Sequence, residues 1–192
     1  NFEALETRAR GSGELVRRYA RPGLYSTGAS NLEWWLEAYP QVESRSAAGA
    51  PLLVERYWLT GLVWTPASWW TLLNSELSWG RLADTAANRV RRGLRWIASG
   101  KFRPLRALEL EPSLSLAWLR PDQGDGLAYR EAATQWLAVW HFDAHHSLRL
   151  ITQRSGLDRR AEPGAAGAAD PAGIAAERNR SHTESLTYAW RR

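Results

Sequence analysis

The strongest constraint on folding lies between residues 85 and 121. Ala86, Val90, Leu94 and Ile97 recur at i, i+4, i+8 and i+11, a spacing that gathers them into one apolar stripe on a helix. Asn88, Arg91, Arg92 and Arg95 fall on the opposite side at 100° per residue, and Gly100 is suited to a helix C-cap. The spacing predicts a basic amphipathic helix from about Thr85 to Gly100. Beyond it, Leu105 to Glu111 and Leu114 to Arg120 are strand-like runs around Pro112-Ser113, which predicts a hairpin.

The rest of the chain reads around this segment as mainly α with one small β-hairpin. Phe2 to Arg21 is helical sequence broken by Gly11-Ser12-Gly13, and Ser30-Asn31 is a cap before a short helix that stops ahead of Pro40. Pro51 to Trp64 is either a buried strand or a buried helix. Thr65-Pro66 opens a helix to about Leu77, and Tyr129 to about Arg154 reads as one long helix with Ala133, Trp136, Trp140, Ala144, Leu148 and Ile151 along its buried side. Residues 1–156 are thus expected to form a mostly helical, Trp-rich domain. Residues 157–192 are expected to be an Ala/Gly/Pro-rich linker, an extended arm and a tail.

A net charge of +5 favours a polyanionic partner or an acidic protein surface. Absence of cysteine excludes disulfides, Cys-based metal sites and a Cys nucleophile. The twelve tryptophans suit cores, interfaces and base stacking alike. The longest uncharged run, Tyr57 to Ser75, contains Gly61 and Pro66, so no membrane span is expected there.

Helix, second short helix, basic third helix, glycine and hairpin follow one another in residues 66–121 in an order that resembles the winged helix-turn-helix family. That resemblance implies nucleic-acid binding, with Asn88, Arg91, Arg92 and Arg95 in the major groove and Lys101, Arg103 and Arg106 on phosphates beside the wing. Arg89 belongs to the same basic run, and from Arg81 to Arg106 eight basic residues stand against Asp84 alone. The alternative is an accessory subunit of a larger complex of respiratory or ribosomal type, because Trp, Tyr and Arg are favoured at interfaces. A third reading rests on Arg17 to Thr27 with Glu37, Glu109 and Glu111, which is loosely similar to ADP-ribosyl-transferring and NAD-cleaving toxins. His141 and His145 share a helical face, but three converging ligands are not available locally. We therefore expect no metal, no cofactor and no catalytic residue.

Overall fold

The computed structural model describes residues 1–10, 12–45, 50–121, 126–161 and 175–190. Ten strands form one antiparallel sheet in which spatial order equals chain order. They are β1 (Phe2–Arg8), β2 (Leu15–Gly28), β3 (Leu32–Ser44), β4 (Leu53–Trp64), β5 (Trp70–Asp84), β6 (Arg89–Leu105), β7 (Leu108–Leu119), β8 (Tyr129–His141), β9 (His146–Arg159) and β10 (Glu177–Trp190). The only helical element among the described residues is the 3-10 turn Ala29–Asn31.

This corrects the mainly α expectation and, with it, the winged-helix resemblance. Thr85 to Gly100 is no helix; all but its first four residues belong to β6, a strand of 17 residues. The physical reason is arithmetic. Val90 and Leu94 stand four apart, and four is a whole number of strand repeats as well as about one helical turn. Only the step of three to Ile97 separates the two periods, and in the sheet Ile97 faces away from Val90 and Leu94. The run read as one long helix is likewise two strands, β8 and β9, joined at 142–145. Thr65-Pro66 and Ser30-Asn31, read as helix caps, sit in hairpin connections instead.

Pairing is continuous from β1 to β10, and β1 and β10 do not pair with each other. Leu157 to Arg159 complete β9, and the last described segment pairs along its whole length with β9, from Glu177 opposite Arg159 to Trp190 opposite His146. The linker expectation for 161–176 falls mostly outside the described residues. Connections at one end of the sheet are longer than at the other, except that 85–88 is as short as those opposite. At one end they cover 9–14, 45–52, 85–88, 120–128 and 160–176, and at the other only 29–31, 65–69, 106–107 and 142–145.

The sheet is curled. Asp84 on β5 lies 3.1 Å from Arg159 on β9, although strands four places apart in a flat sheet are about 19 Å away from each other. The face carrying both side chains is therefore concave. Among the described residues no second layer covers either face, and the buried apolar side chains are Tyr39, Val42, Leu53, Leu82, Ala83, Ala87, Leu119 and Ala128. Accessible surface is 12705 Å², against about 9,200 Å² for a compact monomer of this mass.

Candidate functional site

Register assigns every paired side chain to one of the two faces, because residues directly opposite share a face and successive residues alternate. The concave face is polar. Arg21 bridges Glu3 at 2.5 Å and Glu37 at 2.5 Å and donates to the Tyr39 hydroxyl, while the Tyr39 and Tyr57 rings stack with centroids 4.5 Å apart. Further along, Lys101 joins Glu109 at 2.7 Å and Glu111 at 2.5 Å, and Arg103 joins Glu109 at 2.6 Å. At the end with long connections, Asp84 accepts from Arg91 Nε at 3.1 Å, from Arg159 at 3.1 Å and from the Ala87 amide at 3.2 Å. Asp84 and Arg91 are almost wholly buried, with 2 % of each side chain exposed.

From β3 to β8 the convex face is mainly apolar, whereas on β9 and β10 it carries Arg154, Asp158, Arg178, Arg180, His182 and Glu184. Along β7 it presents Leu108, Leu110, Pro112, Leu114, Leu116 and Trp118, while Glu109, Glu111, Ser113, Ser115 and Ala117 point the other way. Every strand tryptophan except Trp35 lies on this convex side. They concentrate towards its two rims. Trp58, Trp79 and Trp118 share a lateral row near the long connections. Trp64, Trp70 and Phe102 pack near the short ones, with centroids 5.4 Å and 5.1 Å apart. Trp35 is the exception for a local reason: on the concave face its ring lies over Gly61, where an added Cβ would approach to 2.2 Å.

The basic residues singled out in the sequence all lie on or beside β6, yet they are not gathered on one surface. Arg89, Arg91, Arg95, Lys101 and Arg103 are concave, Arg92 is convex, Asn88 is in the 85–88 turn with φ of 49°, and Arg106 is in the turn after β6. A period of 180° separates Arg91 from Arg92, which a helix would have kept together. Arg91 is consumed by Asp84 and Arg95 donates to the Ala83 carbonyl at 2.7 Å. Of the residues in the toxin-like reading, Arg17 to Thr27 belong to β2, Glu37 is held by Arg21, and Glu109 and Glu111 are held by Lys101.

His141 ends β8, and the 142–145 turn is organised by Asp143, whose Oδ1 accepts the His145 and His146 amides at 2.7 and 2.8 Å. The His146 ring bonds the Tyr188 hydroxyl, and His182 lies 3.1 Å from Glu184. Among the described residues no group of three or more metal-ligating side chains converges.

Sequence reasoning counted Arg81 only as part of a basic run and passed over Arg56, Arg120 and the tryptophans two residues from all three. A signal was present. Arg56-Tyr57-Trp58 on β4 is mirrored by Trp79-Gly80-Arg81 on β5 and Trp118-Leu119-Arg120 at the end of β7, the inversion expected when successive strands run in opposite directions through the same two levels. No family model, curated protein or solved structure matches this chain.

Proposed function

We propose that this chain forms a wall of a membrane β-barrel, its convex face against lipid and its concave polar face towards an aqueous lumen. The observation that carries this reading is the inversion of the usual sheet from β3 to β8: apolar residues crowd the convex face there, and charged networks crowd the hollow one. A soluble single-layer sheet would leave Trp58, Trp79, Trp96, Trp118, Trp136 and Trp140, all exposed on that face, in water, whereas a contiguous apolar patch marks an interaction or membrane surface.

Dimensions support the same reading. Strands β2 to β10 run from 12 to 17 residues, more than the 9–11 or so that a tilted strand needs to cross a bilayer. On β7 the apolar run from Leu108 to Trp118 is about 34 Å along the strand, or about 24 Å high at a tilt near 45°. That height matches the outward apolar band of membrane barrels, as do the aromatic rims and the connections that are mostly longer at one end than at the other. Among the described residues no helix is long and apolar enough to cross a membrane; strands cross by a different rule, with backbone groups paired between neighbours. The expectation of no membrane span considered only helices.

An accessory-subunit role would also cover the tryptophans, but it gives no reason for a polar hollow or for aromatic residues at two rims. Nucleic-acid binding through β6 has less support, because Arg91 and Arg95 point away from Arg92 and are already engaged.

The test is to fold the full chain from urea into sealed phosphatidylcholine vesicles containing brominated acyl chains, which quench nearby tryptophan. Strong quenching, insensitive to salt extraction, is the expected result. A chain that stays in the supernatant with unquenched fluorescence would sink the proposal. Salt-sensitive retention on duplex DNA by such a chain would favour the nucleic-acid reading instead.

A further inference from the structure

Arg56 stands directly opposite Arg81, and Arg81 directly opposite Arg92. The Arg120 amide donates to the Arg92 carbonyl at 2.8 Å, which sets Arg120 next in the same row. Four arginines therefore lie side by side on four neighbouring strands, about 4.8 Å from strand to strand. All four are exposed. Among the described residues none of their guanidinium groups has an ion-pair or hydrogen-bond partner, whereas Arg21, Arg91, Lys101 and Arg159 of the concave face are all ion-paired.

Acids are close in sequence but not in space. Glu55 and Asp84 face the concave side; Glu55 accepts the Ala83 amide and Asp84 holds Arg91 and Arg159. On the convex side Glu43, opposite Val54, is taken by Arg18 at 2.6 Å, and Asp158, beyond β8, is taken by Arg178 at 3.0 Å. Like charges placed directly opposite destabilise a sheet unless something neutralises them.

The row has a fixed height. One level further into the sheet, on the same face, lie Trp58, Trp79, Leu94 and Trp118, opposite one another in turn. Tryptophan marks the level where acyl chains give way to headgroups, so the arginines stand in the headgroup layer at the end with long connections. Guanidinium groups suit phosphate because their donors form a planar fork matched to its oxygens.

We propose that Arg56, Arg81, Arg92 and Arg120 bind the phosphates of anionic lipids in the leaflet on the long-connection side, while the tryptophan row beneath packs against the acyl chains. This rests on the membrane reading above. The two are separated by comparing lipids rather than by asking only whether the chain inserts.

The full chain is folded from urea into vesicles of phosphatidylcholine alone and into vesicles that also contain phosphatidylglycerol, and the folded fraction is followed by tryptophan fluorescence against urea. The native sequence should fold into both and favour the anionic vesicles. The variant Arg56→Gln/Arg81→Gln/Arg92→Gln/Arg120→Gln should fold into phosphatidylcholine as well as the native chain does and lose the anionic preference, by about fivefold for each arginine removed. Arg17→Gln with Arg149→Gln, which removes charge from the concave face, should keep the preference per remaining arginine of the row. An equal anionic preference in the fourfold variant overturns this proposal and leaves the membrane reading standing. Failure of the native chain to enter either vesicle overturns both.

Discussion

At the scale of single residues, the backbone specifies several side chains that polarity alone does not explain. Ser30 and Asn31 close the β2–β3 hairpin with φ of 59° and 53°, the pair of left-handed conformations that a tight two-residue turn requires. Serine carries a steric cost there that glycine lacks. Ser30→Gly should therefore raise stability by about 0.5–1 kcal/mol, read as an upward shift of the urea midpoint in vesicles or detergent. Gly80 is the opposite case. Its φ is +146°, and an added Cβ would come within 2.5 Å of the Arg56 carbonyl oxygen and 2.6 Å of the Tyr57 Cα. Neither backbone atom can move without opening the β4–β5 ladder, so Gly80→Ala should lose more than about 2 kcal/mol by the same measurement. The 142–145 turn adds a pH dependence. The His145 amide bond to Asp143 is the largest influence, and together with the His146 amide and the charge of His146 it outweighs desolvation and holds the Asp143 carboxyl below its ordinary value. A lowered carboxylate pKa gives a contribution fully present at neutral pH and lost as pH falls through that lowered value. The His145 and His146 amide resonances should shift together below the usual carboxylate range; resonances that follow an unshifted carboxylate would refute the cap.

At the scale of elements, β6 explains both what the sequence made legible and what it concealed. The strand runs 105–111 and 114–120 were readable because Leu108, Leu110, Leu114, Leu116 and Trp118 alternate with polar residues in the pattern of a half-exposed sheet. The hairpin expected around Pro112-Ser113 is not there: Leu108 to Leu119 is one strand, β7, that passes straight through that pair, and only Leu105 of the two runs lies on β6. In β6 itself, glycines at 93 and 100 and a basic residue at most concave positions hid the same period, and the four-residue spacing of Val90 and Leu94 fitted either structure. Long-range pairing also decides what the charges do. Asp84 looked like the lone acid in a basic run, yet Arg91 reaches it from the neighbouring strand and curling of the sheet brings Arg159 onto it, with almost no water. Removing one member of such a buried pair strands the other charges. Asp84→Ala should therefore lose about 3–5 kcal/mol, and Arg18→Ala, which breaks an ion pair whose arginine is half exposed, no more than about 1 kcal/mol. Equal losses from the two substitutions in urea titrations would show that the curled end is not the anchor of the sheet.

At the scale of the whole molecule, the meander gives the chain two ends that a membrane would hold on opposite sides. Thr85 and Arg120 lie in or beside the connections at one end, Ala107 and Phe142 in those at the other, and the apolar band lies between them. The sequence contains no cysteine, so single substitutions Thr85→Cys, Arg120→Cys, Ala107→Cys and Phe142→Cys each introduce one thiol without background. After folding into sealed vesicles from outside, the chain should enter in one sense, because crossing the bilayer is easier for short connections than for long polar ones. A membrane-impermeant maleimide should then label positions 85 and 120 at once and positions 107 and 142 only after detergent opens the vesicles. A soluble sheet would label all four at once, and a sheet lying flat on the surface would do the same. Division of the four into 85 with 107 against 120 with 142 would contradict the strand order itself, since neighbouring connections on one end of an antiparallel meander cannot be separated by a bilayer.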